Sequence, residues 1–138
     1  MMHESVSVSF SCPQCHSSGK VAYALWGADG GIRLSASFKC NSCGHTFEAD
    51  SHDVPEDVRQ LFYLENGRWV LKVIELGSNR AATLRGLRDA LGLSVAEAGE
   101  LLRKIPGEVA DGTRVEVEVL GRMVQAAGAV IEISRSSS

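Results

Sequence analysis

Four cysteines in two Cys-x-x-Cys pairs constrain this chain more than any other feature of its sequence. The pairs are Cys12 with Cys15 and Cys40 with Cys43, and the 138-residue chain has no other cysteine. Each pair places two sulfurs on one tight turn, and two such turns complete a tetrahedron around a single ion. The spacing predicts one structural Zn²⁺ per chain. Four thiolates leave no coordination position for water, so we do not expect the metal to be catalytic.

Other uses of paired cysteines fit the pattern less well. No cationic and apolar leader precedes Cys12, which disfavours an exported disulfide framework. A redox dithiol is expected in a βαβ context and would not need two pairs. The ligand pattern is also similar to that of rubredoxin, so an iron electron carrier stays an alternative. His16 and His45 follow the pairs closely, but four sulfurs already saturate an ion, so we do not expect either histidine to be a ligand.

The residues around the cysteines alternate between apolar and small polar types. The alternation covers Val6 to Phe10, Val21 to Trp26 and Ile32 to Phe38, with several glycines between the last two runs. This pattern is typical of β-strands joined by a hairpin. Residues 1–50 are therefore predicted to form a three-stranded zinc ribbon. So small a unit has few apolar residues, and we expect metal removal to unfold it while the rest of the chain stays folded.

The apolar spacing changes after residue 50. Val54, Val58, Leu61 and Phe62 predict an amphipathic helix over residues 54–64, with Asp53 and Glu56 as its capping pair. Residues 51–67 are thus interpreted as a connecting helix and turn.

Residues typical of helix starts and helix ends recur in the last part of the chain. A strand-like run from Trp69 to Leu76 precedes Asn79, which is predicted to cap a helix that ends at Leu91 before Gly92. Ser94 with Glu97 and Thr113 with Glu116 are two further capping boxes. They predict a helix through Lys104 and another that ends near Gly128, followed by a closing strand from Val130 to Ile133.

The start of the last predicted helix contains a conflict. Val115, Val117 and Val119 alternate with glutamates, which by β-propensity favours a strand. The capping box before this segment and its Ala-Ala-Gly ending favour a helix of roughly 14 residues. We therefore predict that residues 115–127 are helical.

The composition and motifs exclude several function classes. The formal net charge is −3, without the basic excess that phosphate neutralisation requires, so nucleic-acid binding is not favoured. Nothing approaches the ~18 consecutive apolar residues of a membrane span. No phosphate-binding loop, His-Glu-x-x-His motif or nucleophile elbow is present. We expect a cytoplasmic protein that is not an enzyme.

About half of the chain resembles a known family. Residues 79–88, 91–98 and 126–130, together with Pro106 and Gly112, resemble the C-terminal domain of the bacterial ribosomal stalk protein. That resemblance implies a strand-helix-helix-helix-strand order over residues 68–134 and contact with translational GTPase factors. The dimerisation segment and long hinge of that family are absent here.

The resemblance also implies a partner-binding surface on the first helix of this domain. Its residues are Arg80, Ala81, Leu84, Arg85 and Arg88, which match the family's basic and apolar stripe position by position. The lysine that the family has on the second helix is replaced by Gly99. The alternative interpretation is that the leucines are core residues and the arginines a solvated face.

Together these patterns predict an α+β protein with four parts: ribbon 1–50, connector 51–67, stalk-like domain 68–134 and flexible tail 135–138. The predicted function is a protein-interaction adaptor whose partner has an acidic face and is a GTPase or translation factor. A nucleic-acid or transcription-machinery module is the main alternative, with Tyr23, Trp26 and Phe38 as stacking residues.

Overall fold

A computed structural model describes residues 2–28 and 31–136. The first part is a four-stranded antiparallel sheet with strand order β1-β2-β3-β4. Its strands are β1 (His3–Ser11), β2 (Ser18–Ala28), β3 (Gly31–Lys39) and β4 (Thr46–Ser51). The three-stranded prediction was wrong by one strand. The second cysteine pair turns the chain back, and Phe47 of β4 then lies opposite Phe38 of β3.

The second part contains four helices and a three-stranded antiparallel sheet of order β6-β5-β7. Its elements are α1 (Glu56–Asn66), β5 (Trp69–Glu75), α2 (Arg80–Leu91), α3 (Val95–Leu102), β6 (Gly107–Gly112), α4 (Arg114–Ala126) and β7 (Val130–Arg135). The predicted helices and closing strand are present, but the predicted order omitted β6. Pro106 follows α3, and the next six residues extend along β5 instead of remaining a loop.

The valines of α4 are buried, because this helix packs between two apolar cores. Val115 and Val119 belong to a core that includes Leu25 and Leu34 of the ribbon. Val124 belongs to a second core with residues of β5 and α2. Val117 is fully buried as well. The helical prediction for this segment is confirmed, since burial on two sides outweighs the strand propensity of valine.

Three of the four predicted caps are present. Asn79 accepts a hydrogen bond from the Ala82 amide, and the boxes at Ser94 and Thr113 each form both reciprocal bonds. The Asp53–Glu56 pair was wrong. α1 begins at Glu56 directly after Pro55, without a side-chain cap. Proline's fixed φ suits a helix start, and the acidic first turn complements the helix dipole.

Replacing Thr113 by alanine is expected to lower the free energy of unfolding by about 1 kcal/mol. Its hydroxyl is fully buried and accepts a hydrogen bond from the Glu116 amide. Urea unfolding of the Thr113→Ala and Ser94→Ala variants measures this. The exposed Ser94 cap is expected to cost less, and an unchanged midpoint for Thr113→Ala would contradict the importance of the buried cap.

The ribbon and the rest of the chain share a core, although the predicted domain boundaries stay predictions. Met2, Val6, Leu25 and Leu34 of the ribbon pack with residues of α1 and α4. At its other end the ribbon has a separate cluster around Cys12 and Cys40 that is built from ribbon residues alone. One end of the ribbon is therefore anchored, and the cysteine end is not.

Parts of the predicted tail and of the predicted hairpin lie outside the residues that the structure describes. Ser137 and Ser138 of the predicted tail lie outside the described residues, whereas Arg135 ends β7 and the Ser136 amide donates to the Arg68 carbonyl at 2.7 Å. Part of the predicted hairpin turn, Asp29 and Gly30, also lies outside them. Across residues 2–28 and 31–136, no helix combines the length and apolarity that crossing a membrane requires.

Candidate metal centre and interaction surface

The two cysteine pairs meet at one end of the ribbon. All four sulfurs lie within 4.8 Å of one another. Across the pairs, Cys12 Sγ is 3.7 Å from Cys43 Sγ and Cys15 Sγ is 3.5 Å from Cys40 Sγ. The sequence prediction that these residues converge is therefore met, and the cluster is able to bind a metal ion.

Matching backbone turns hold the two pairs. The His16 amide donates to the Cys12 carbonyl at 2.9 Å, and the Gly44 amide donates to the Cys40 carbonyl at 3.0 Å. His16 and Gly44 both have positive φ, 62° and 80°. This conformation is uncommon for residues other than glycine, and here it lets the chain turn so that both sulfurs of a pair face the same point.

The pKa values of the cysteines differ within the cluster. Hydrogen bonds from Ser17 lower the pKa of Cys15 to about 6. A backbone hydrogen bond from His45 lowers the pKa of Cys43, but burial and the other three sulfurs outweigh it and raise this pKa to about 12. Four thiolates this close repel one another, so a bound divalent cation is what allows all four to ionise.

Aromatic packing supports the cysteine end of the sheet. Cys12 and Cys40 are buried in a cluster with Val21 and Phe38, whereas Cys15 and Cys43 are exposed. The ring of Phe38 packs against Phe10 and Phe47, with centroids 5.0 and 5.3 Å apart. These rings stabilise the end of the sheet that carries both cysteine turns. Within the described residues the cysteine group does not include His16 or His45.

The residues predicted to bind a partner lie together on α2, and we call Arg80, Ala81, Leu84, Arg85 and Arg88 the α2 surface. Its first two members and Arg85 are exposed, and Leu84 and Arg88 are half-buried. Across residues 2–28 and 31–136 none of the three arginines forms an ion pair, although Asp89 lies four residues after Arg85. The Nε atom of Arg88 is buried without a hydrogen-bond partner.

Two residues that the sequence analysis did not single out hold α2 in place. The buried Thr83 Oγ1 donates within 2.6 Å of the Leu76 carbonyl and lies 2.9 Å from the Ala127 carbonyl. Gly86 lies so close to Ala127 that a Cβ would collide with its side chain. The opposite face of α2, which carries the α2 surface, therefore points away from α4.

Buried polar contacts connect the ribbon to α4. Glu4 is 8% exposed, and its two carboxylate oxygens accept hydrogen bonds from the Val115 amide and from Asn66 Nδ2, each at 3.0 Å. The Val115 amide lies in the first turn of α4, where backbone amides lack partners within the helix. No local sequence pattern predicts this contact, because Glu4 and Val115 are 111 positions apart.

A bidentate ion pair links α1 to α4. Arg59 of α1 donates to both carboxylate oxygens of Glu116, at 3.0 and 2.9 Å. Burial alone would raise the pKa of Glu116, but the hydrogen bonds from Arg59 and from Thr113 outweigh it and hold this pKa below its ordinary value. The charged form of Glu116 is therefore the one that the fold stabilises.

We expect this pair to make the folded state sensitive to acid. Because the folded-state pKa of Glu116 is lowered, its contribution is fully present above the unfolded value of about 4.3 and is lost as pH falls through the folded value. Solvent screens the pair in part, so we expect about 1 kcal/mol. Urea titrations of wild type and Glu116→Gln measure it: the difference between them should shrink below pH ~4.3. A constant difference down to pH ~2.5 would contradict the assignment.

The three aromatic residues of the nucleic-acid alternative occupy different environments. Tyr23 is half-buried against the shared core, and Phe38 is buried at 3% exposure. Trp26 is 39% exposed and lies on the face of the sheet that points away from α4. Only Trp26 among these three is therefore available for stacking with a ligand.

Sheet, cysteine cluster and helices together define a four-cysteine, metal-binding ribbon packed on a small α+β unit. No family model matches this chain. It is similar to large ribosomal subunit protein bL12 of Histophilus somni (strain 2336), with 35% identity over 60 residues, 43% of this chain and 49% of that protein. The same protein of Mannheimia succiniciproducens is 36% identical over 58 residues, 41% of this chain and 46% of its own length.

A third relative is similar to the same extent. Large ribosomal subunit protein bL12 of Actinobacillus pleuropneumoniae serotype 5b is also 35% identical over 60 residues. The chain spans about half the length of the curated relatives it matches. Similarity of a segment of about 60 residues to large ribosomal subunit protein bL12 is therefore confirmed.

Proposed function

We propose that this chain is a non-enzymatic, zinc-binding adaptor whose α2 surface binds a protein partner. The observation that carries the proposal is the state of the arginines on α2. Arg80, Arg85 and Arg88 have no ion pair among the described residues, and Arg88 Nε is buried without a partner. A guanidinium group without an ion pair is able to bind a carboxylate of a partner through two parallel hydrogen bonds.

The metal of this proposal is one structural zinc ion per chain. Four sulfurs within 4.8 Å fit the all-thiolate tetrahedral set that zinc favours in structural sites. The same set suits the iron of a rubredoxin-like carrier, so the two metals are distinguished by measurement. Elemental analysis and the visible spectrum of the purified protein decide between them: zinc gives a colourless protein, and iron gives a red one.

The partner of this proposal is a protein with an acidic face. Arginine binds carboxylates with two parallel hydrogen bonds, and Leu84 beside the arginines offers an apolar contact. The relatives are proteins of the large ribosomal subunit, which supports a partner among translation factors or their GTPases and a cytoplasmic location. The ribbon then gives the adaptor a second surface.

Reversing the charge of Arg85 and Arg88 to glutamate is expected to weaken partner binding by about 2 kcal/mol or more, roughly thirtyfold. Arg85 is exposed and Arg88 is half-buried, and neither belongs to the core clusters of the described residues. We therefore expect the stability to change by about 1 kcal/mol or less. Capture from native lysate on immobilised wild-type and variant protein, quantified by mass spectrometry, measures the loss.

The matched control reverses Lys104 and Arg122, two exposed cations outside the α2 surface. It changes the net charge equally and is expected to retain every partner. If both double variants lose the same proteins, the interaction depends on net charge alone, and the α2 surface is not the binding site.

A further inference from the structure

The ribbon has a second face that neither the metal centre nor the α2 surface uses. Its strands alternate, so one face packs on α1 and α4 and the other points outward. On β1, β2 and β3 the described outward positions are mainly serine and alanine, and none is Asp or Glu. The larger outward side chains are His3, Lys20, Trp26, Arg33 and Lys39. We call this set the ribbon outer face. Its charge is positive, although β4 adds Glu48 and Asp50 on the same side of the sheet and Asp50 pairs with Arg33.

Two lysines stand side by side at the cysteine end of this face. Lys20 and Lys39 each adjoin the paired residues Val21 and Phe38, so they continue the same register across β2 and β3. Both are exposed, and in the described part of the chain neither forms an ion pair. Like charges directly opposite each other destabilise a sheet. An anionic partner placed over both lysines would remove this repulsion.

An aromatic cleft lies at the other end of the face. Trp26, Arg33, Ser35 and Asp50 line a cleft of about 460 Å³. The ring of His3, on the neighbouring strand β1, packs against Trp26 in a tilted arrangement, with centroids 4.1 Å apart. Arg33 donates to Asp50 at 2.9 Å, so a donor and an acceptor stand together at the cleft. A nucleobase offers what this cleft can bind, a flat π-face and an edge with both donors and acceptors.

We propose that the ribbon outer face binds single-stranded nucleic acid, with one base stacked on Trp26 and phosphates placed over Lys20 and Lys39. The six residue-to-residue steps from Lys20 to Trp26 span about 20 Å of strand. The serines and alanines between them keep the surface flat, so a sugar-phosphate backbone can lie close to the sheet. Glu48 and Asp50 of β4 border this path on one side. Paired bases of a duplex are already stacked and cannot enter the cleft.

This inference does not depend on the α2 surface. The ribbon packs on the first half of α4 through Val115 and Val119, whereas α2 packs on its last residues through Ala127. The two surfaces are therefore separate, and both stay open in the same molecule. If the test at one surface fails, the proposal for the other surface still stands.

The test is fluorescence anisotropy of a labelled single-stranded oligonucleotide of about 12 nucleotides, titrated with the full chain. Lys20→Glu with Lys39→Glu is expected to weaken binding at least tenfold at low salt. It should also lower the slope of log K against log salt by about 1.4, the value for two phosphate contacts on a single strand. Lys104→Glu with Arg122→Glu is the matched control and should bind like the wild type.

The aromatic contact has its own variants. Trp26→Ala is expected to weaken binding about 5- to 100-fold, and Trp26→Phe should keep most of the affinity because it keeps a stacking ring. The chain has two tryptophans, so Trp69→Phe leaves Trp26 as the only one, and its fluorescence should be quenched by the oligonucleotide.

Three outcomes would overturn the proposal. The first is equal binding by wild type, Trp26→Ala and the lysine variant. The second is a duplex that binds as tightly as the single strand, which would mean that no base enters the cleft. The third is a polyglutamate peptide that displaces the oligonucleotide at equal concentration, which would make this face a site for acidic proteins.

Discussion

Cys40→Ser is expected to abolish metal binding and to unfold the cysteine end of the ribbon. Cys40 is 1% exposed and contributes both to the sulfur group and to the cluster with Val21 and Phe38. Structural zinc sites contribute an apparent ~10–16 kcal/mol at pH 7, and that binding free energy is folding free energy. The described members of this cluster are all ribbon residues, although Val8 and Tyr23 also pack against the shared core. We therefore expect metal binding to supply most of its stability.

The structure also limits how far the unfolding spreads. Leu25 and Leu34 pack with Phe62 of α1 and with Val115 and Val119 of α4. We therefore expect their amides to stay protected from hydrogen exchange, whereas the amides around Cys12 and Phe38 exchange freely. The simpler expectation that all of residues 1–50 unfold together did not include this shared core.

Hydrogen exchange by mass spectrometry with elemental analysis checks this result, and Ser42→Ala in the same turn is the control that keeps all four ligands. Full protection of the cysteine end in metal-free protein would contradict the proposed role of the metal. So would a Cys40→Ser variant that retains one zinc ion per chain.

Leu87→Ala is expected to destabilise the protein strongly, whereas the same change at Leu84 is expected to affect binding. Leu87 is fully buried in the core beneath α2, and truncation of such leucines costs ~2–5 kcal/mol. For a chain of this size that lowers the melting temperature by roughly 8 °C or more. Leu84 is half-exposed and belongs to none of the core clusters of the described residues.

Leu84→Ala should therefore leave the melting temperature almost unchanged and weaken partner binding by about 1 kcal/mol or more. Calorimetry and partner capture on the two variants measure both effects. A Leu84→Ala protein that melts as early as Leu87→Ala would place this leucine in the core. If the reversal of Arg85 and Arg88 also left every partner bound, the α2 surface would be structural only.

The features that the sequence predicted correctly are mainly local. The caps at Asn79, Ser94 and Thr113 depend on residues within three positions, so a short pattern is enough to reveal them. The four cysteines are separated in sequence, but their spacing alone implies convergence on one ion. For both reasons the helix boundaries and the cysteine cluster could be read before the structure was known.

The strands β4 and β6 were not predicted, because they form by pairing with a neighbouring strand and lack a clear apolar alternation. β4 is an edge strand of six residues, and all but Phe47 are exposed, so its apolar alternation is weak. β6 begins and ends with glycine and contains one large apolar residue, Val109. Short strands of this composition form because a neighbouring strand offers hydrogen bonds, as β5 does for β6.

The packing of the ribbon on α4 was likewise not accessible from the sequence. Its polar contact joins Glu4 to Val115, which are 111 positions apart, and the pair between Arg59 of α1 and Glu116 spans 57 positions. The valines of α4 did carry a signal, because a helix that is apolar on two sides needs two partners. That signal was interpreted as a conflict between helix and strand, when it reported burial on both sides.

NMR of the ¹⁵N-labelled full chain during titration with a purified translational GTPase tests the proposed function most directly. We expect shifts and intensity losses to concentrate on residues 80–88, and we expect Arg85→Glu with Arg88→Glu to abolish them while the zinc ion and the fold are retained. A titration that leaves residues 80–88 unchanged, or a response confined to the ribbon, would contradict the assignment of the α2 surface as the partner-binding site.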